Sequence, residues 1–243
     1  SIGHLILFFI CNLVMNFVYT IKSEFLERYR IHTHPWPWES NPEEWKKLRT
    51  KTFIQLFIKQ CVLLPGMLYL INIYNGKKIS FRSDWETAPL PLEVIWQIAI
   101  FLICEDFWFY WIHRFLHWDK IYPYIHKVHH EHKVTISYAS EYAHPVEMLF
   151  GNLFPTNFGP AILGSRVHLI TTYLWIIIRI IKTTEAHSGY EFSWSPIRLL
   201  PMQIPSDFHS YHHLKFKGNY GSFFRFWDHI CGTISKGYIK LKN

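Results

Sequence analysis

The stretch that decides the fold runs from Asp106 to His130 and reads DFWFYWIHRFLHWDKIYPYIHKVHH. It contains five histidines: His113, His117, His126, His129 and His130. A second group, His209, His212 and His213 in the sequence HSYHH, follows after a long apolar part of the chain. Imidazole is a common metal ligand, so the two groups together predict one metal site assembled from distant segments.

The spacing of these histidines indicates that the site holds two metal ions. Helical residues four positions apart share a face, so His113 and His117 can reach the same metal. In a helical HxxHH triplet, the first histidine aligns with both of the others, and these two point to different sides. A triplet can therefore serve two metals at once. The same pattern recurs at 209–213.

The ligand type limits the choice of metal. Neutral imidazole suits Fe, Zn, Cu and Ni. A structural zinc ion rarely needs more than four ligands, and eight histidines exceed that number. The cysteines Cys11, Cys61, Cys104 and Cys231 form no CxxC pair, which argues against a thiolate site. We therefore expect two iron ions that activate O2, with zinc as the main rival.

Carboxylates near the motifs are candidates for orienting the histidine rings, because each ligand ring needs an acceptor for its second N–H. Asp106, Glu105 and Glu141 are the main candidates. Further candidates are Glu131, Glu147, Glu185 and Asp207. For each of them, a solvated charge or a helix cap is the alternative role.

The composition indicates an all-α integral membrane protein with a polar cap. The chain has 243 residues, of which 49% are hydrophobic and 19% aromatic, and its mean hydropathy is +0.02. We expect four to five transmembrane or re-entrant helices in one domain, 1–243. Their apolar runs are 2–21, 53–74, 92–112, 146–163 and 167–181. Such runs are long enough to cross or enter the hydrocarbon core.

The positive charges support a membrane orientation. Loop 22–51 contains seven Lys and Arg residues, whereas loop 75–91 contains three, Lys77, Lys78 and Arg82. This bias puts 22–51 on the cytoplasmic side. The metal-binding cap, 113–145 and 182–233, then lies on that side too. The net charge of +7 suits anionic lipid headgroups. No basic tract with a recognisable nucleic-acid fold is present, so we expect no nucleic-acid partner.

The histidine motifs HRFLH, HKVHH and HSYHH resemble those of the fatty acid hydroxylase superfamily of membrane di-iron enzymes. Within this superfamily, the chain further resembles one branch, the methylsterol monooxygenases. The stretches that carry this second resemblance are ED-x-W-x-Y-x-x-HR at 105–114, IYPYIHKVHHEH at 121–132, EYAHPVE at 141–147, AHSGYEFSW at 186–194 and KGNYGSFFRFWDHICGT at 217–233. The resemblance covers nearly the whole chain.

The resemblance implies an enzyme that oxidises the C4 methyl group of a sterol intermediate. It would use O2 and electrons from NAD(P)H, delivered through cytochrome b5 and its reductase. It also implies His187 and His144 as further metal ligands, and a location in the endoplasmic reticulum membrane. Alternatives remain open: a related lipid hydroxylase or sterol desaturase, a non-catalytic subunit that retains the site within a larger membrane complex, and another organelle such as the mitochondrial inner membrane.

Overall fold

The computed structural model describes residues 2–32, 34–74 and 81–242. These residues form α-helices joined by turns and short 3-10 or π-helical segments, and they contain no β-strand. The α-helices are α1 (Ile2–Ile21), α2 (Glu24–Glu27), α3 (Pro37–Ser40), α4 (Pro42–Ile58), α5 (Leu64–Tyr74), α6 (Pro91–Leu116), α7 (Pro145–Glu147), α8 (Phe154–Leu163), α9 (Leu169–Ala186), α10 (Ser206–Lys215), α11 (Phe226–Ile230) and α12 (Lys236–Lys242). The 3-10 segments are Trp85–Thr87, His126–Glu131, Ser137–Glu141, Gly164–Arg166 and Pro196–Leu199, and the π-helical segments are Lys59–Leu63 and Met148–Leu153. The predicted all-α fold is therefore confirmed.

The helix α1 has the length and composition of a membrane span. Gly3–Ile21 has a hydropathy of 1.9, and only 22% of this stretch is buried within the protein. The side chains of Phe9 and Phe17 are 67% and 62% exposed. Among the residues described above, no second helix meets the same criteria. The count of four to five spans therefore stays a prediction, and Lys77 and Lys78 of the orientation argument lie outside the described residues.

Two of the other apolar runs extend over several of these elements. Run 53–74 begins inside α4, passes through the π-helical turn Lys59–Leu63 and ends in α5. Run 146–163 is shared between α7, a π-helical segment and α8, and Pro160 lies inside α8. Proline lacks the backbone N–H that continues a helix, and a full span needs about 20 residues. A π-helical turn is a bulge within a helix rather than a break, and the helical residues run without interruption from Pro42 to Tyr74 and from Pro145 to Leu163.

The long helices pack around α6 and α9. Helix α6 contacts α8 and α9, and α9 also contacts α1 and α10. Gly159 of α8 lies against α6, because an added Cβ would be 2.9 Å from the Cα of Phe101. Only glycine permits this close approach. Phe101 then packs with Trp175 of α9 and Phe223 in a buried cluster.

Segment 22–51 covers one face of the histidine-bearing part of the chain. Tyr19 at the end of α1 donates a hydrogen bond to the carbonyl of Ser188, 2.8 Å away. Lys51 forms an ion pair of 2.7 Å with Glu131, and Thr52 is hydrogen-bonded to the ring of His132 at 2.8 Å. The basic loop and the histidine segments therefore lie on the same side of the molecule.

Candidate metal centre

Four elements carry histidines to a common point. Helix α6 ends with His113 in its last turn and His117 as its C-cap, and α9 ends with His187 as its C-cap. The 3-10 segment His126–Glu131 and helix α10 supply the two HxxHH triplets. Segments far apart in the sequence thus converge, although the first triplet adopts a 3-10 rather than an α-helical conformation.

The histidines form two groups whose nitrogen atoms lie within 4.8 Å of one another. The five-histidine group contains His113, His117, His126, His130 and His212, and the four-histidine group contains His129, His187, His209 and His213. Each HxxHH triplet is divided between the two groups, as its spacing predicts. The groups are adjacent, because the ring centroids of His130 and His213 are 4.6 Å apart.

Six of the rings are oriented by an oxygen atom that faces Nδ1. Their partners lie 2.7 to 3.1 Å away. The pairs are His113 with the Tyr220 carbonyl, His126 with Glu147 Oε1, His129 with the Tyr142 carbonyl, His187 with the Thr183 carbonyl, His212 with the Gly218 carbonyl and His213 with the His132 carbonyl. Five of these partners are carbonyl oxygens, which only accept, so in those five rings Nδ1 carries the proton and Nε2 presents a lone pair to the interior of the group.

The Nε2 atoms approach one another closely inside each group. The Nε2 atoms of His113 and His126 are 3.1 Å apart, and those of His129 and His187 are 3.2 Å apart. In the pair His129 and His187 both Nδ1 atoms already hold the proton, so two lone pairs face each other and repel. Two nitrogens at right angles about one metal ion, each about 2.1 Å from it, would lie about 3.0 Å apart. The donor atoms therefore fit metal ions.

Burial keeps these imidazoles neutral. It lowers the pKa of His129 to about 4, and burial together with the charge of His113 lowers the pKa of His117 to about 2. Burial is also the largest cause of the lowered pKa at His113, His126, His130, His187, His209, His212 and His213. Neutral imidazole is the form that binds a metal, so the site is prepared for ligation at neutral pH.

Glu147 is the carboxylate that touches a histidine of the site. It is 5% exposed, and its Oε1 lies 2.8 Å from His126 Nδ1. Its Oε2 is buried and has no hydrogen-bond partner among the described residues. A buried carboxylate is costly without a compensating positive charge or donor. A cation held by the neighbouring histidines would supply that charge.

A small cavity borders both groups on the side of α6 and the π-helical segment. Its volume is about 30 Å³. Histidines of both groups line it, together with Glu147, Phe109, Leu116 and Gly151. Both groups of nitrogen donors therefore border one space that can admit a small reacting group.

The other predicted site residues lie away from the two groups. Asp106 accepts from the backbone N–H groups of Phe223 and Phe224. Glu105 pairs with Arg179 at 2.8 Å. Glu141 also lies outside the two groups and accepts hydrogen bonds from His4 and Gln60. His144 lies outside them as well, and its Nδ1 accepts from the N–H of Val146. Sequence reasoning missed the backbone carbonyls that orient the rings, because a carbonyl has no signature in the sequence.

Comparison with known proteins agrees with this geometry. The family model described as "Fatty acid hydroxylase" matches residues 98–233, which include every histidine of the two groups. The chain is 41% identical over 231 residues to methylsterol monooxygenase 2-2 of Arabidopsis thaliana, covering 93% of this chain and 81% of that protein. It is 35% identical over 213 residues to methylsterol monooxygenase 1 of Gallus gallus, covering 87% and 68%.

A third relative carries a different name. The chain is 43% identical over 187 residues to the very-long-chain aldehyde decarbonylase GL1-8 of Oryza sativa subsp. indica, covering 75% of this chain and 66% of that protein. No solved structure matches the chain. The family match spans more than half of the sequence and contains both histidine groups. The chain therefore belongs to the fatty acid hydroxylase family.

Proposed function

We propose that the chain is a membrane-bound di-iron monooxygenase that oxidises the C4 methyl group of a sterol. The observation that carries the proposal is the pair of adjacent histidine groups, which offer five and four nitrogen donors. The names of the methylsterol monooxygenases that the chain resembles support the sterol substrate.

Under this proposal the metal ligands are His113, His117, His126, His130 and His212 for one ion and His129, His187, His209 and His213 for the other. His144 is not included, since it lies in neither group. Five imidazoles exceed the four ligands of a tetrahedral zinc site, and iron accepts imidazole and higher coordination. Zinc can occupy the purified protein without being the ion that works.

Oxidation of an unactivated C–H bond by O2 is chemistry that a bound redox metal supplies, because no side chain performs it. The protein's part is to hold the ions, to keep the imidazoles neutral and to exclude water. The carbonyls of Tyr142 and Thr183 fix two of the rings at 2.8 and 2.9 Å. The small cavity beside both groups leaves room for a small reacting group next to the ions.

The membrane part of the proposal rests on apolar surface. Large apolar side chains on α1 face outward, and α6 likewise exposes Leu92 and Ile103 by 74% and 65%. Extended exposed apolar surface of this kind is unusual on a soluble protein and typical of contact with lipid. A sterol would then enter from the bilayer, along α6, towards the cavity between the two groups.

The electron route is part of the same proposal. We assign electron delivery to cytochrome b5 and its reductase, with NAD(P)H as the source, and the location to the endoplasmic reticulum membrane. The inner mitochondrial membrane and membership of a larger membrane complex are the alternatives. Cell fractionation with purification in mild detergent distinguishes them, because it reports the organelle and any subunits that co-purify.

A second candidate function is supported by one comparison. The relative named as a very-long-chain aldehyde decarbonylase is slightly more identical to this chain than the methylsterol monooxygenases, over a shorter stretch. Under this reading the site would act on a linear aldehyde instead of a sterol. The two readings share the metal ligands and differ in the substrate.

The test is a reconstitution with separate substrates. Purified protein in lipid nanodiscs, with cytochrome b5, reductase and NADPH, is given a 4-methylsterol, a long-chain fatty acid or a long-chain aldehyde, and the products are identified by mass spectrometry. We expect oxidation of the sterol C4 methyl group and its absence in the His212→Ala variant. Turnover of the aldehyde or the fatty acid alone would overturn the substrate assignment. No turnover of any substrate by the iron-loaded protein would favour the non-catalytic subunit.

A further inference from the structure

One loop touches the five-histidine group at two places through its backbone. The loop runs from Gly218 to Phe224 and is called the 218–224 loop below. The Gly218 carbonyl accepts from His212 Nδ1 over 2.7 Å, and the Tyr220 carbonyl accepts from His113 Nδ1 over 2.8 Å. His212 belongs to α10 and His113 to α6, so this single loop sets the ring orientation of ligands on two helices.

The loop is held from one side by Asp228, which is fully buried. Oδ1 accepts from the N–H of Tyr220 at 2.9 Å and from the hydroxyl of Thr233 at 2.6 Å. Oδ2 accepts from the N–H of Gly221 at 2.7 Å. Both carboxylate oxygens are therefore occupied by donors, and two of these donors belong to the loop.

The loop is held from the other side by α6. Oδ1 of Asp106 accepts from the N–H groups of both Phe223 and Phe224, each at 2.9 Å. The hydroxyl of Ser222 donates to Glu105 at 2.9 Å. These contacts give Asp106 and Glu105 a defined role that is separate from direct contact with any histidine of the two groups.

The backbone of the loop fits this position because two of its residues are glycines. Gly218 has a φ of +77°, in the left-handed region, and an added Cβ would lie 2.6 Å from the Thr233 carbonyl. A Cβ added at Gly221 would lie 2.7 Å from the Phe224 carbonyl. Glycine is the residue that permits both the conformation and the close packing. The loop therefore has little room to move its two carbonyls.

We propose that Asp228 and Asp106 are positioning residues for the metal ion of the five-histidine group, acting through the 218–224 loop. They fix the loop backbone, and the loop carbonyls fix the rings of His212 and His113. The inference rests on the proposed assignment of these histidines as ligands. Outer partners of metal-bound histidines tune metal affinity, typically by 10- to 100-fold.

The effect is specific to one ion. In the four-histidine group, the Nδ1 atoms of His129, His187 and His213 face the carbonyls of Tyr142, Thr183 and His132. None of these carbonyls belongs to the 218–224 loop. Disturbing the loop therefore weakens the five-histidine group and leaves the orienting contacts of the other group in place.

The sharpest variant is Asp228→Asn. The amide offers one oxygen instead of two, and its NH2 group would face a backbone N–H. A buried donor left without its acceptor costs more than the hydrogen bond itself contributes. We expect Asp228→Asn to lower the affinity of one ion by about 10- to 100-fold. The chain would then retain about one ion where the wild type holds about two, when both are dialysed against the same chelator.

Double variants identify which ion is lost. Combined with His117→Ala, Asp228→Asn is expected to cause no further metal loss, because both changes act on the same group. Combined with His213→Ala, it is expected to remove nearly all metal, because the changes act on different groups. The control is Glu27→Gln, which removes the charge of a half-buried carboxylate that contacts Arg30 and Tyr190 instead of the loop.

The experiment measures the metal content and the circular dichroism of the purified full chain in detergent. If Asp228→Asn does not fold, Asp106→Ala tests the same loop from α6 and is expected to lose the same ion. Retention of both ions by these variants, or equal loss from both groups, would overturn the inference. A wild-type chain that binds no metal would instead refute the proposed function, so the two failures are distinguishable.

Discussion

Nδ1 of His126 lies 2.8 Å from Oε1 of Glu147, within hydrogen-bonding distance, and both side chains are buried. Among the described residues, this is the single ring of the two groups whose Nδ1 faces a carboxylate in place of a backbone carbonyl. A carboxylate donates more electron density through the ring than a neutral carbonyl. With Glu147 ionised beside a bound cation, His126 would be the electron-richest candidate ligand of the five-histidine group.

This relationship predicts the effect of Glu147→Leu and Glu147→Gln. Leucine removes the acceptor and leaves the Nδ1 proton of His126 buried without a partner, so we expect a loss of metal affinity on the order of 100-fold. Glutamine retains an acceptor oxygen, and we expect a smaller loss of about 10-fold. A chelator-competition titration measures both. Equal affinity in Glu147→Leu and the wild type would show that this contact does not support the metal.

Removal of one ligand from each group should remove a different ion. His129→Ala acts on the four-histidine group and His212→Ala on the five-histidine group. We expect each variant to lose about one of two ions and to abolish substrate oxidation, because both ions are needed together. The matched control is His229→Ala, an exposed histidine outside both groups. Metal analysis that finds full occupancy in His129→Ala and His212→Ala refutes the ligand assignment.

Chelation should destabilise the part of the fold around the site. The two groups join the ends of α6 and α9 to α10 and the 3-10 segment His126–Glu131, so ligation ties four distant segments together. An ion present at 100 times its dissociation constant stabilises the folded state by about 2.7 kcal/mol. We expect the thermal midpoint to fall by several degrees on metal removal and to recover when Fe(II) is added back. A midpoint unchanged by chelation would contradict this coupling.

Close packing of α6 and α8 predicts a stability effect that is independent of the metal. Gly159→Ala adds a Cβ 2.9 Å from the backbone of Phe101, and overpacking of this kind costs about 1–3 kcal/mol. The control is Gly66→Ala in α5, where an added Cβ meets no atom within 4 Å. Thermal unfolding in detergent should separate the two variants. An equal midpoint for both would show that α6 and α8 do not pack so closely in the membrane.

The spacing of the histidines predicted triplets that serve two metals, and the two histidine groups have that arrangement, although the first triplet is 3-10 rather than α-helical. His126 and His130 separate from His129, and His212 separates from His209, as two-sided triplets require. His187 could not be derived from spacing, since it stands alone at the end of α9, and the family resemblance supplied it. The orienting carbonyls of Gly218 and Tyr220 were not foreseen either. Their positions depend on a loop conformation that Asp228 and Asp106 fix.

The local geometry of the apolar runs was less predictable. The runs at 53–74 and 146–163 read as uniform helices, whereas a π-helical segment lies inside each of them and Pro160 lies inside α8. The roles of Asp106 and Glu105 were also not predictable from the sequence. Their place before the first histidine suggested contact with the ligand rings, whereas they hold the 218–224 loop and Arg179. Tertiary contacts with residues 74 and 117 positions away decide these roles.

Under the proposed function, the histidines of the two groups bind two metal ions. The most direct test is an anaerobic titration of metal-free protein with Fe(II), followed by removal of weakly bound metal and elemental analysis. We expect about two iron ions per chain in the wild type and about one in His213→Ala or His117→Ala. Binding of a single ion that both variants retain, or no stable binding at all, would contradict it.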